Sequence, residues 1–283
     1  MTNDFIELHR YVLEQEFFSD KGGEIETLRT AIVSVIGDEP LDEFERRLAE
    51  LDYSEYSGER FFSICAYSRA GRWNMNGARK IPDSAALGLI FITTQSDLAL
   101  EELESEAHKY WDAGITPLIA WPGRTPFTVR MKRQLAQYDK ECHFVSLKRG
   151  CTDQSPRVCD YWEAIVAYIE ALLLPGTYPG WVCVDQADVR CVFSDCSSAR
   201  ILCFEADSFP ELMRIVPSGL PTNYEMLGIL VTLIGTLPFR LAYVHRVIDL
   251  VREKLPHAGS TVIFAALSDI MRRRYTLYVT ICE

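Results

Sequence analysis

Apolar residues follow two spacings along this chain. Nearly unbroken apolar runs of seven and nine residues lie at 31–37 and 86–94, and such runs are typical of strands buried on both faces of a parallel sheet. Apolar residues at helical spacing are found at 41–51 and 96–114. This alternation predicts βαβ units, in which a right-handed crossover joins parallel strands.

The same criteria predict the other regular elements. Helices are expected at 5–18 and 237–256, and the second of these should bury Leu241, Val244, Val247, Ile248, Val251 and Leu255. Further strands are predicted at 60–68, 115–122, 141–150, 227–236, 260–269 and 275–281.

The centre of the chain carries a long helix followed by two carboxylates. From residue 160, one apolar stripe is formed by Trp162, Ile165, Val166, Ile169, Leu172 and Leu173. The pair Pro175-Gly176 is expected to end this helix. Asp185 and Asp188 then lie three apart in a predicted loop, just before a strand-like run at 189–193. An aspartate pair at this spacing is also compatible with a helix cap or a turn.

Composition narrows the class of protein. The chain has 283 residues, of which 48% are hydrophobic and 24% charged, so a full globular core is expected. A net charge of −11 argues against a nucleic-acid binder, and the basic triplet at 272–274 is interpreted as a solvated turn. The start lacks the features of a signal peptide, and the uncharged stretch 226–239 is too short to span a bilayer. We therefore expect a soluble, cytoplasmic protein without direct membrane binding.

Cysteine usage indicates no special chemistry. The nine cysteines include no C-x-x-C pair and have no metal-ligand spacing with the five histidines. We expect reduced, mostly buried thiols and no metal site.

The segment C-V-D-Q-A-D-V-R-C-V at 183–192, after a helix ending in Pro-Gly, resembles the synergy loop of FtsZ, the bacterial tubulin-like GTPase. That loop reads N-x-D-x-A-D-V-R-x-V and inserts into the nucleotide site of the next subunit in a filament. The resemblance implies that Asp185 and Asp188 match the two aspartates of the loop and that Arg190 matches its arginine. Cys183 stands where the family has asparagine.

Other segments are similar to FtsZ in the same order, notably PGRTPF at 122–127 and the stretch 260–281. The resemblance implies an α/β, tubulin/FtsZ-like fold with a Rossmann-like parallel-sheet N-terminal domain, a long central helix and a smaller α+β C-terminal domain. The expected boundaries are an extension at 1–24, a GTPase-like domain at 25–159, the central helix and loop at 160–190, and the C-terminal domain at 191–283.

The phosphate-binding loops of the family are replaced in this sequence. FtsZ and tubulin place a glycine-rich loop between strand and helix, where backbone amides and the helix dipole hold phosphate. The corresponding positions form a degenerate nucleotide site, with Gly37, Asp38 and Glu39 after the first strand and Gln95, Ser96 and Asp97 after the 86–94 strand.

Acidic side chains are expected to occupy the anion position in this degenerate site. Asp97 is predicted near the helix N-cap, and Glu101 and Glu102 in the first turn. Each carboxylate would repel a phosphate by about 1 kcal/mol or more at contact distance. The same residues also serve as ordinary helix caps. We expect no nucleotide cofactor, no catalytic residues and no GTPase activity of the isolated chain, with a contribution in trans to a partner's GTP hydrolysis left open.

These features lead to a hypothesis with alternatives. The chain is expected to be a non-catalytic FtsZ-like protein that binds FtsZ or a related filament through its synergy-like loop. It would cap, inhibit or regulate polymerisation and hence cell division. The first alternative is a self-assembling, nucleotide-independent structural protein. The others are a GTP-binding FtsZ paralogue and an enzyme with an atypical ligand near Asp38, Asp97 and Arg124.

Overall fold

A computed structural model describes fifteen stretches of the chain. They are 30–36, 65–67, 85–93, 97–121, 126–138, 140–149, 161–177, 182, 184, 186–194, 198–221, 226–236, 239–255, 258–268 and 274–282. The helices predicted at 5–18 and 41–51 lie outside the described residues.

Nine strands form one sheet within these ranges. They are β1 (Thr30–Ile36), β2 (Cys65–Tyr67), β3 (Ala85–Ile92), β4 (Pro117–Ala120), β5 (His143–Arg149), β6 (Ser198–Ala206), β7 (Met226–Gly235), β8 (Ala258–Ser268) and β9 (Tyr275–Cys282). Their order in the sheet is β2-β1-β3-β4-β5-β6-β9-β7-β8. The sheet is therefore continuous across the predicted domain boundaries at 159 and 190.

Most neighbouring strands are parallel. From β2 to β6 every pair is parallel, and β7 is parallel to β8. Among the described strands only β9 runs the other way, antiparallel to both β6 and β7. The parallel pairs β1–β2 and β1–β3 confirm the predicted parallel sheet at the start of the chain.

Helices cover both faces of this sheet. The described helices are α1 (Asp97–Asp112), α2 (Pro126–Leu135), α3 (Tyr161–Tyr168), α4 (Leu174–Thr177), α5 (Gln186–Phe193), α6 (Phe209–Gly219) and α7 (Leu241–Lys254), with a 3-10 turn at Ala136–Tyr138. A π-helical segment, Ile169–Leu173, joins α3 to α4, and we call residues 161–177 the central helix. None of the helices within the described ranges is both long and apolar enough to cross a bilayer.

Three cores hold the layers together. The central helix and α5 pack on one face, against side chains such as Leu89, Val145 and Leu230. On the other face, α1 and α2 cover β1 and β3 to β5, while α6 and α7 cover β6, β7 and β9. Alternate residues of strands such as β1, β4 and β9 enter opposite cores, as the two-residue period of a strand requires. The nearly unbroken apolar runs of the sequence result from burial on both faces.

Helix ends agree with local sequence signals. Helix α1 ends at Asp112 and is followed by a turn at Gly114, whose φ of +74° is the left-handed conformation that glycine adopts without strain. The N–H of Ile115 donates to the Tyr110 carbonyl at 2.9 Å, and the N–H of Gly114 donates to the Trp111 carbonyl at 3.0 Å. Helix α6 begins after Ser208, whose hydroxyl accepts from the N–H of Glu211 at 3.4 Å.

The central helix differs from the prediction in two ways. It is buried around most of its circumference and not only along one stripe, because the sheet and α5 enclose it; Ala164, Ala167 and Ala171 are at most 3% exposed. It also continues past Pro175-Gly176 to Thr177. The π-helical turn just before Pro175 changes the hydrogen-bond register, so that proline interrupts the helix less than it would in a regular α-helix.

Further predictions near the C-terminus need correction. The run 189–193 is helical in α5 and not a strand. Helix α7 begins at Leu241, which is 50% exposed because it occupies the first turn, and Ile248 is only partly buried. Of the other predicted core residues, Val244, Val247 and Val251 of α7 are buried, and so is Leu255, which follows the helix. Strand β6 and helix α6 were not predicted.

Candidate functional site

The residues predicted to form a degenerate nucleotide site follow strands β1 and β3 in the sequence. Ile36 and Ile92 are opposite each other as the last residues of the two strands. The N–H of Thr93 donates to the Ile36 carbonyl at 2.8 Å, and the Thr93 hydroxyl donates to the same oxygen at 3.2 Å. The turns after these two strands therefore begin at neighbouring points, as the sequence predicts for parallel strands.

Helix α1 starts after a short turn without glycine. Asp97 is its first residue, so only positions 94–96 connect it to Thr93. Glu101 and Glu102 consequently lie in the second turn, and their predicted place in the first turn is wrong. Glu101 is exposed and Glu102 is half-buried. Gly37, Asp38, Glu39, Gln95 and Ser96 lie outside the described residues.

A buried polar network fixes α1 against β1. The Ser34 hydroxyl of β1 donates to Oε1 of Glu106 at 2.8 Å and lies 2.8 Å from the phenolic oxygen of Tyr110. Lys109 donates to Oε2 of Glu106 at 2.5 Å. Because the buried carboxylate has hydrogen-bond partners, the cost of its burial is offset. This network was not predicted from the sequence, although Ser34 is the polar residue within the apolar run of β1.

The second candidate region is helix α5, which contains most of the synergy-like segment. Asp188 lies in its first turn and is half-buried, and a carboxylate there is stabilised by the helix dipole. Arg190 and Cys191 are exposed, whereas Val189, Val192 and Phe193 are buried. Cys183 and Asp185 lie outside the described residues.

Close contacts fix α5 against the sheet. A Cβ atom on Gly228, near the start of β7, would lie 2.4 Å from the Val192 carbonyl oxygen, so the strand and helix approach closely there. The ring of Phe193 lies 5.5 Å from that of His143, the first residue of β5. Upstream of the helix, the N–H of Val182 donates to the Ala266 carbonyl of β8 at 3.4 Å.

The structure does not bring the two candidate regions together. The strand register places His143, the first residue of β5, level with Leu118 of β4 and with Leu89 of β3, three residues before β3 ends at Ile92. Phe193, beside His143, is therefore offset from the end of β3 by about 10 Å along the strands and by two strand spacings across the sheet. Helices α1 and α5 cover opposite faces of the sheet.

The described residues offer no alternative cation site. Within those ranges, no group of three or more His, Cys, Asp or Glu side chains is placed to share a metal ion.

Comparison with solved structures identifies the architecture. An empty FtsZ dimer from M. jannaschii matches 100% of this chain and 93% of its own chain, with a TM-score of 0.65 and 14% sequence identity. The chain has an FtsZ/tubulin-like fold. GDP-form protofilaments of TubZ from Bacillus thuringiensis serovar israelensis match 88% of this chain and 84% of theirs, with a TM-score of 0.52 and 11% identity. CetZ from Methanosaeta thermophila matches 91% of this chain and 87% of its own chain, with a TM-score of 0.54 and 14% identity.

Sequence comparison alone does not reveal this relationship. No protein-family model matches the chain, and no curated protein matches it in sequence. The FtsZ/tubulin-like fold confirms the resemblance carried by the synergy-like segment and the other matching stretches. At 11–14% identity the likeness establishes architecture, and the roles assigned to Asp185, Asp188 and Arg190 stay predictions.

Proposed function

We propose that this FtsZ-like protein binds the end of an FtsZ or related tubulin-like filament and limits its growth, without binding nucleotide itself. The binding surface would be the synergy-like segment, formed by Cys183 and Asp185 together with Asp188 and Arg190 of α5. Regulation of cell division is the role that such an activity implies. The isolated chain would have no GTPase activity.

The observation that carries the proposal is the turn between β3 and α1. It reaches Asp97, the first residue of the helix, without a glycine. A phosphate at a helix N-terminus needs close approach to backbone amides, which glycine permits and a carboxylate opposes. Residues 37–39 add one glycine followed by two acids at the neighbouring strand end. These residues favour the loss of triphosphate binding.

The placement of the two regions on opposite faces of the sheet supports a one-sided contact. Helix α5 presents Arg190 and Cys191 to solvent and packs on the face of the sheet opposite to α1. A head-to-tail interface joins different surfaces of two subunits and therefore propagates only when both surfaces function. A subunit with the α5 surface but without nucleotide could join a filament end and offer no competent surface to the next subunit.

A contribution to hydrolysis in the partner is part of the same proposal. Asp185 and Asp188 would approach the partner's nucleotide across the interface and could position the attacking water. Cys183 replaces the asparagine of the family segment, so this contribution is expected to be weak.

The proposal is tested with the FtsZ of the same cell. FtsZ polymer sedimented with GTP, and the phosphate it releases, are measured against increasing amounts of this protein. We expect less sedimented polymer at protein amounts well below that of FtsZ, because each capped end blocks many additions. Unchanged polymer at equimolar protein would contradict the proposal.

Self-association is the second candidate function. It is favoured by the similarity to structures described as an FtsZ dimer and as TubZ protofilaments. Light scattering of the pure protein without nucleotide distinguishes the candidates. A signal that rises steeply above a critical concentration indicates self-assembly, and a constant monomer signal favours the capping role.

A further inference from the structure

Two side chains from neighbouring strands bind consecutive residues of the π-helical segment. The Tyr278 hydroxyl of β9 donates to Oε2 of Glu170 at 2.6 Å, and the Thr232 hydroxyl of β7 donates to the Ala171 carbonyl at 3.2 Å. Thr232 and Tyr278 are directly opposite each other in the β7–β9 pair. All four residues are at most 3% exposed. We call this arrangement the two-strand clamp.

The clamp acts where the helix departs from α geometry. In a regular α-helix the Ala171 carbonyl would accept from residue 175, which is a proline and has no N–H. The observed backbone bond runs from the N–H of Leu174 to the carbonyl of Ile169, a five-residue step. The Thr232 hydroxyl therefore supplies a donor to the carbonyl that Pro175 cannot serve. Glu170, the buried residue just before Ala171, places its carboxylate within hydrogen-bond distance of the Tyr278 hydroxyl.

The π-helical segment sets the position of the next helical turn. Relative to an α-helix it contains one additional residue. Its reversion to α geometry would rotate the next turn by about 100° and shift it by about 1.5 Å. That turn is α4, which packs against α5 and β8. The close fit of Val192 against Gly228 leaves α5 little room to move with such a rotation while it stays in place.

We infer that Tyr278 and Thr232 are positioning residues that hold the π-helical segment and thereby fix the orientation of the α5 surface. The inference deepens the proposed function and rests on it for the role of α5. Of the residues proposed to contact a partner, Asp188 and Arg190 are on α5, whereas the residues that set its geometry lie on β7 and β9.

Hydrogen exchange of the full chain, measured by mass spectrometry, tests the inference. Tyr278→Phe removes only the phenolic oxygen. We expect amide exchange in Gln186–Phe193 to accelerate at least tenfold, while exchange in Leu241–Lys254 stays as in the wild type. The matched control is Tyr168→Phe. Tyr168 is on α3 of the same central helix, and its buried hydroxyl donates to the Val145 carbonyl at 3.3 Å. This control should leave exchange in α5 unchanged.

A second variant keeps the test decisive. Thr232→Val retains the shape of the side chain without its hydroxyl, and it takes the place of Tyr278→Phe if that variant does not fold. Unchanged exchange in α5 would overturn the inference. Equal acceleration in α5 and α7 would also overturn it, because that result indicates only a general loss of stability. Loss of polymer inhibition in Tyr278→Phe, at wild-type thermal stability, is the expected functional result. If the wild type itself leaves the polymer unchanged, the proposed function fails, whereas the exchange result still decides the role of the clamp.

Discussion

The ring of Tyr110 occupies the space that a side chain on Gly88 would need. A Cβ atom built on Gly88 of β3 would lie 1.9 Å from Cε1 of Tyr110. Tyr110 is fully buried in α1, and its hydroxyl lies near Ser34 and donates to the Leu89 carbonyl at 3.4 Å. The contact sets the distance between α1 and β3, and thus the position of the start of α1.

Gly88→Ala is expected to destabilise the protein by about 2 kcal/mol or more, because the buried ring cannot move away without displacing α1. Denaturant unfolding measures this change. Gly114→Ala is the contrasting variant: nothing lies within 4 Å of its Cβ position, and only its φ of +74° is unfavourable for alanine. It should cost about 1 kcal/mol. A Gly88→Ala protein as stable as the wild type would show that the Tyr110 ring does not pack against β3 at this position.

Arg190→Glu is expected to reduce inhibition of FtsZ polymerisation at least fivefold. Arg190 is exposed on α5, so a change of its charge alters the proposed surface without disturbing the core. Arg246→Glu makes the same charge change on the exposed face of α7 and is the control. Equal inhibition by both variants, measured by sedimentation, would remove α5 from the interface.

Stability should decline in alkaline solution through Cys142. Burial raises the pKa of this thiol from an ordinary value of 9.0 to about 11, with Lys132 acting in the opposite direction. The thiolate is disfavoured in the folded state, so the contribution of the neutral thiol to stability is complete below pH 9 and is lost as the pH rises towards 11.

Between about pH 9 and 10.5, the free energy of unfolding should therefore fall less steeply in Cys142→Ala than in the wild type. Cys191→Ala, which changes an exposed thiol, is the control. Tyr275, whose pKa is also raised by burial, remains in all three proteins and contributes equally to each. Parallel pH profiles for the wild type and Cys142→Ala would contradict this role of Cys142.

Much of the sheet could be predicted because its strands are buried on both faces. The runs that became β1, β3 and β7 contain few polar residues and are seven to ten residues long, which favours strands buried on both faces over longer buried helices. Helix α1 was equally clear, since its apolar residues recur at helical spacing and a glycine lies just after its end. The helical patterns between the early strands also predicted their parallel order.

The errors occur where short-range patterns are ambiguous. Residues 189–193 contain two valines and a phenylalanine, which suit a strand, but the polar stretch before them allows a helix that begins at Gln186. The central helix is enclosed on most sides because small alanines let neighbouring elements approach it. The bond between Glu170 and Tyr278 joins residues 108 positions apart, and no local pattern indicates such a contact.

The most direct test of the central claim is equilibrium binding of GTP to the isolated protein in the presence of Mg²⁺. We predict no saturable binding up to about 1 mM nucleotide, because the turn before α1 has no glycine and residues 37–39 combine one glycine with two acids. A dissociation constant of about 10 µM or tighter would contradict this claim. The protein would then be a nucleotide-binding subunit and not a one-sided cap.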